Sequence, residues 1–192
     1  MFYPIRYGAV IGGLWALTAA VAALPAESSE ETRLLKALRL SDYPSAIGPP
    51  VIRARDVNGR QISLEKLRGR VVLITFWASW CLECRPEMPQ FEQLHRDFAK
   101  HGLSVIGVNV RESNSIIVQY AKELSLTFPL VPDAKGEIRE AFGVIGLPTT
   151  FLIRRNGSAA ALAIGARNWG GPTALKLIKL FLAQASMPSR EN

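Results

Sequence analysis

Seven residues in a row, Val71-Val72-Leu73-Ile74-Thr75-Phe76-Trp77, carry no charge and a single hydroxyl. A strand with one wet face would alternate apolar and polar residues. This run does not, so it is read as a strand covered on both faces, in the middle of a layered sheet. Leu103-Ser104-Val105-Ile106-Gly107-Val108-Asn109-Val110 repeats the pattern. Between the two, residues 81–100 are predicted to be helical, with Phe91, Leu94 and Phe98 as an apolar stripe and His101-Gly102 as the stop. Two strands joined through a helix pair in parallel.

The same punctuation gives the rest. Residues 51–56 and 60–63 read as a hairpin about Asn58-Gly59. Residues 113–124 and 137–142 read as helices, with an extended piece at 128–131 between them. Residues 149–153 and 159–164 flank a second Asn-Gly turn at Asn156-Gly157, and residues 173–185 form a closing helix opened by Pro172. The order is β-β-β-α-β-α-β-α-β-β-α. The last two strands must be antiparallel, because their loop is too short for a crossover. The expected class is α/β, a mixed central sheet flanked by helices, with an N-terminal β-hairpin.

The chain's 192 residues allow one ordinary domain. Hydrophobic residues make up 48% and charged residues 20%, which excludes a disordered or collagen-like chain. The net charge of +7 raises nucleic acid as a partner. The Lys and Arg residues are scattered, however, and no zinc-finger, RRM or KH signature accompanies them, so no nucleic-acid partner is expected.

Arg6 is followed by an uncharged stretch from Tyr7 to Ala26, and Glu27, Glu30 and Glu31 come next. A basic start, an apolar run and small residues at Ala22-Ala23 fit a secretory signal. The length also suits a membrane-spanning anchor. Both readings place the remainder of the chain outside the cytoplasm. The expected division is 1–26 signal peptide or membrane anchor, 27–47 linker, 48–186 folded domain and 187–192 tail. Within the linker, residues 32–40 could form a short amphipathic helix. Gly48-Pro49-Pro50 marks the boundary.

Cys81 and Cys84 are the chain's two cysteines. Cys-x-x-Cys after a buried strand, at the start of a helix, is specific for thiol–disulfide exchange. Unpaired backbone N–H groups at a helix start favour a thiolate, and the thiolate is what attacks disulfides. Cys81 is the expected exposed nucleophile, with Cys84 one turn inside as the resolving thiol. A structural staple is a poor alternative, because so short a loop gives little entropy. His95 and His101 mimic a zinc pattern with the cysteines, but on one helix His95 lies roughly 21 Å from Cys81. A copper(I) site on both sulfurs stays open. No cofactor or metal is expected.

The segment Phe76-Trp77-Ala78-Ser79-Trp80-Cys81-Leu82-Glu83-Cys84-Arg85-Pro86-Glu87-Met88-Pro89 resembles the active site of the thioredoxin superfamily. More narrowly, it is similar to the TlpA-like group of extracytoplasmic oxidoreductases that includes the ResA-like and CcmG-like proteins. Leu67-Arg68-Gly69-Arg70, Val108-Asn109-Val110-Arg111-Glu112-Ser113 and Phe142-Gly143-Val144-Ile145-Gly146-Leu147-Pro148-Thr149-Thr150 extend the likeness over about 48–185.

The resemblance implies a thioredoxin-like fold, in which about 111–130 is the group's extra central βα insert. It makes Cys81 and Cys84 a redox disulfide and Pro148 a cis-proline that leaves the Leu147 backbone to pair with substrate. Pro89 matches a helix kink. Glu87 matches an acidic residue of the group one turn beyond Cys84, placed either to relay a proton to or from Cys84 or to raise its thiol pKa by charge repulsion; the alternative is a solvated first-turn Glu favoured by the dipole. Thr75 stands where thioredoxin has a buried aspartate. Trp80 is a substrate-contact candidate, and Glu112 a weaker one for lining a groove. Glu83 departs from the proline common in the group and places a negative charge beside the sulfurs. The implied activity is reduction of protein disulfides, in apocytochrome c or copper-centre assembly proteins. A transmembrane thiol donor would supply electrons, and the N-terminus would hold the protein at the inner membrane if uncleaved. The alternatives are a copper(I)-delivery module and a thiol peroxidase. Against the latter, Ala78 replaces the threonine that usually precedes a peroxidatic cysteine.

Overall fold

The computed structural model describes residues 26–43 and 48–184. The expected signal or anchor lies almost wholly outside the described residues, as do 44–47 and the tail. The chain runs α1 (Ala26–Ala37), β1 (Ser41–Asp42), β2 (Arg53–Arg55), β3 (Gln61–Ser63), β4 (Val71–Trp77), α2 (Met88–Phe98), β5 (Leu103–Val110), α3 (Asn114–Glu123), β6 (Leu130–Asp133), α4 (Glu137–Ala141), β7 (Thr149–Ile153), β8 (Ala159–Ile164) and α5 (Pro172–Ala183).

The main sheet has the order β1-β8-β7-β4-β5-β6. The apolar run is β4, buried at all its positions, with β5 parallel on one side and β7 antiparallel on the other. Its side chains alternate between two cores. Val71, Leu73 and Trp77 join residues of α1, α2, α3 and α5. Val72, Ile74 and Phe76 face a layer built from Ile52, the β2–β3 hairpin and α4. The sheet is therefore mixed and covered on both faces, as the continuous run requires. The second face is closed largely by the hairpin rather than by long helices. This is the thioredoxin-like arrangement that the resemblance implies.

The hairpin forms its own two-stranded sheet. The Val57 N–H donates to the Leu130 carbonyl at 2.9 Å, which occupies part of the edge of β6. Glycine is required at Gly107, because a Cβ there would lie 2.8 Å from Leu130 Cδ2 and 2.9 Å from Trp77 Nε1. The space holds the Trp77 indole, stacked on Tyr120 at 4.9 Å.

Within the stretch read as a linker, α1 and β1 are built into the fold. Leu34, Leu35 and Leu38 are buried in the first core. Arg154, just after β7, bonds both Glu31 of α1 and Gln184 beyond α5. β1 pairs with β8, Ser41 opposite Leu162. The leucine stripe was visible, but the surface that buries it comes from α5, remote in sequence. No helix of the described residues is long and apolar enough to cross a membrane.

Candidate active site around a paired cysteine

β4 delivers the chain to a loop at its C-terminal end, the end at which crevices of α/β sheets hold ligands. The expected helix from Cys81 does not begin there. Successive turns close first, Cys81 N–H to Ala78 O at 3.2 Å, Cys84 N–H to Cys81 O at 3.1 Å and Glu87 N–H to Cys84 O at 3.1 Å. α2 starts only at Met88. Pro86 and Pro89 explain the delay, because neither can donate the backbone bond that a continuous helix needs. Pro89 accordingly lies in the first turn of α2 instead of kinking its interior.

Cys81 and Cys84 are joined as a disulfide. Cys81 is 7% exposed and Cys84 1%. Neither projects freely, but Cys81 is the more exposed of the two and the one that lines a cleft. The Cys84 N–H points at Cys81 Sγ, 3.2 Å away. Among the described residues, no three His, Cys, Asp or Glu groups converge as a metal site. His95 packs edge-on against Phe128 instead.

Glu87 is not a solvated first-turn residue. It is 2% exposed. Its Oε1 accepts the Arg167 N–H at 2.7 Å and the Trp169 indole N–H at 2.8 Å, while Oε2 is buried without a partner. Burial raises its pKa to about 7, against the two hydrogen bonds and the Arg167 charge, which pull it down. The Arg167 guanidinium is itself held by the carbonyls of Leu38 and Arg39, at 2.7 and 2.9 Å. Sequence reasoning missed Arg167 and Trp169. The available signal was a tryptophan inside the glycine-bounded loop Gly165-Ala166-Arg167-Asn168-Trp169-Gly170-Gly171.

Glu112 acts behind the groove. Its carboxylate accepts the Ser79 N–H at 2.7 Å, the Ser79 hydroxyl and the Asn109 amide at 2.7 Å. It thus anchors the loop between β4 and Cys81 to the end of β5. Glu112→Ala leaves these buried donors without an acceptor. It is expected to cost about 2–3 kcal/mol in urea unfolding; a loss below about 0.5 kcal/mol would show that the anchor is dispensable.

The Leu147–Pro148 peptide is cis. Pro148 is buried at the start of β7, and Leu147 is the member of the pair that lines the cleft. That cleft, about 500 Å³, brings Trp80, Cys81 and Leu147 together. Trp80, Leu82 and Ile145 stand around it 65, 87 and 84% exposed. Cys84 and Glu87 lie behind it.

Residues 48–161 match the AhpC/TSA family. A curated relative, the thiol-disulfide oxidoreductase ResA of Geobacillus thermodenitrificans, is 38% identical over 110 residues, 57% of this chain and 63% of the relative. The match thus spans less than two-thirds of that relative's length. Among solved structures, a thioredoxin family thiol:disulfide interchange protein from Chlorobium tepidum superposes with TM-score 0.64 at 25% identity, covering 71% of this chain and 96% of that one. StoA from Bacillus subtilis superposes with TM-score 0.58 at 28% identity, covering 69% and 96%.

Proposed function

The chain belongs to the AhpC/TSA family, and from that premise we propose that it is an extracytoplasmic thiol–disulfide oxidoreductase that reduces disulfides in other proteins. The observation that carries the reading is the Cys81–Cys84 disulfide at the mouth of an apolar-rimmed cleft, backed by a buried carboxyl. The names of the curated relatives support it over copper delivery or peroxide reduction.

In the reduced protein, the Cys81 thiolate attacks one sulfur of a substrate disulfide. A bond forms between Cys81 and that sulfur. The substrate's own S–S bond breaks, and the departing thiolate takes a proton from solvent. Cys84 then gives its proton to the Glu87 carboxylate and attacks Cys81 Sγ. The Cys81–Cys84 bond forms, and the second substrate sulfur leaves as a thiolate and is protonated. Two electrons have passed to the substrate. A dithiol donor spanning the membrane returns them, because exported compartments are oxidising.

Three features support these roles. The Cys84 N–H at Cys81 Sγ favours a thiolate there. The greater exposure of Cys81 suits it to meet substrate first. A carboxyl with pKa about 7 can take and give a proton at neutral pH. Trp80 and Leu147 would contact the substrate, with the Leu147 backbone free to pair with an extended segment next to Pro148. The N-terminal apolar stretch supports export, with the domain left in the periplasm, free or held at the inner membrane. Apocytochrome c and copper-centre assembly proteins are the substrates this reading favours.

The test is direct. Full-length protein, reduced and then exposed to graded glutathione redox buffers, is expected to interconvert between two thiols and one disulfide. The reduced form should transfer its electrons stoichiometrically to a model protein disulfide. Absence of either behaviour overturns the proposal.

A further inference from the structure

One wall of the cleft is basic in a way the exchange chemistry does not require. Arg111 and Arg139 line it beside Cys81. Neither guanidinium has a hydrogen-bond or ion-pair partner among the described residues. By contrast, Arg53, Arg60, Arg85, Arg96 and Arg154 each hold a carboxylate. An arginine left unpaired beside a crevice has its donors available to a ligand.

The two are held in place by one residue. Asp133 ends β6 opposite Val110, the last residue of β5. Its carbonyl accepts the Arg111 N–H at 3.1 Å. Its carboxylate accepts the N–H groups of Ile138 and Arg139 at 3.1 and 2.8 Å. Arg111 has φ +62°, an unfavourable backbone conformation for a non-glycine residue that surrounding structure must hold. Gly136 leaves room for its side chain, since a Cβ there would lie 3.2 Å from Arg111 Nε. The end of β5 and the start of α4 thus present two cations to a cleft that Glu83, on the active-site loop, also lines.

We propose that Arg111 and Arg139 select protein disulfides flanked by carboxylate side chains. This inference rests on the exchange reading above and names the substrate class of that same site. The apolar rim of Trp80, Leu82 and Ile145 covers apolar side chains of the incoming segment. The arginine pair fixes which way round the segment lies, because Glu83 repels an acidic group placed on its own side. Bidentate guanidinium–carboxylate geometry gives more orientation than a diffuse positive surface would.

The test uses three synthetic peptides, each closed by one internal disulfide and identical except for Glu, Gln or Lys beside the cysteine. The rate of oxidation of reduced full-length protein is measured with each. The Glu peptide is expected to react roughly tenfold faster than the Lys peptide at low salt, the gap shrinking at high salt. The double variant Arg111→Glu/Arg139→Glu should invert the order, which misfolding cannot do. Lys176→Gln, a distant loss of positive charge, should leave the order intact. Equal rates with the three peptides, or an unchanged order in the double variant, overturn the proposal while leaving exchange standing. Failure of every peptide to react overturns the exchange reading, and this inference with it.

Discussion

Replacing Cys84 with Ser is expected to stop turnover and leave substrates attached to Cys81. The resolving thiol is the group that breaks the mixed disulfide, and a hydroxyl cannot do so. Reduction of a protein disulfide should fall on the order of 10³-fold. Adducts should run as a shifted band on a non-reducing gel and collapse when a strong dithiol is added. The complementary Cys81→Ser variant should be equally inactive but form few adducts, because Cys84 is 1% exposed. Adducts on Cys84, or near-normal turnover of the Cys84→Ser variant, would reverse the assigned roles. In the native cell the same trap identifies the partners, and recovery of cytochrome c precursors or copper-centre assembly proteins would assign the biological role.

The second large effect is on pH dependence and concerns Glu87. In the unfolded chain its carboxyl titrates near 4.5; in the folded protein burial raises this to about 7. Between those values the native state binds the extra proton. Stability due to this group is therefore complete below pH 4.5 and is lost as pH rises through 7. The loss approaches about 3 kcal/mol at pH 8, since each pKa unit corresponds to ~1.4 kcal/mol. Glu87→Gln keeps an oxygen for the Arg167 and Trp169 N–H groups and removes the titration. The oxidised variant should unfold at much the same urea concentration as the parent at pH 4 and at a higher one at pH 8. The same substitution removes the proton acceptor of Cys84, so attack by Cys84 on the mixed disulfide should slow and lose its pH dependence near 7. A parent protein whose stability is flat between pH 4.5 and 8 would mean that the carboxyl is not held as described.

How far the site could be read in advance depended on how local each interaction is. Cys81 and Cys84 share a turn, so spacing alone paired them. Leu147 and Pro148 were legible only through the resemblance, since a proline after leucine has no inherent preference for cis. Glu87 sits within the same motif, yet its burial comes from Arg167 and Trp169 across the fold. No local pattern could separate a buried carboxyl from a solvated one. The resemblance makes Glu112 only a weak candidate for lining a groove. Its carboxylate turns inward, because Ser79 and Asn109 supply donors there.

Hydrophobic order along the chain determined the layered, mixed sheet, for a strand apolar on every position has nowhere to lie except between two covering layers. Residue spacing likewise determined the cysteine pair. Tertiary structure decided the rest: that α1 and β1 belong to the fold, that a carboxyl behind the sulfurs titrates near neutrality, and that Arg111 and Arg139 share one wall of the cleft. Desolvation and charge pairing depend on neighbours brought together from distant parts of the chain, and periodicity reports only which face of its own element a residue occupies.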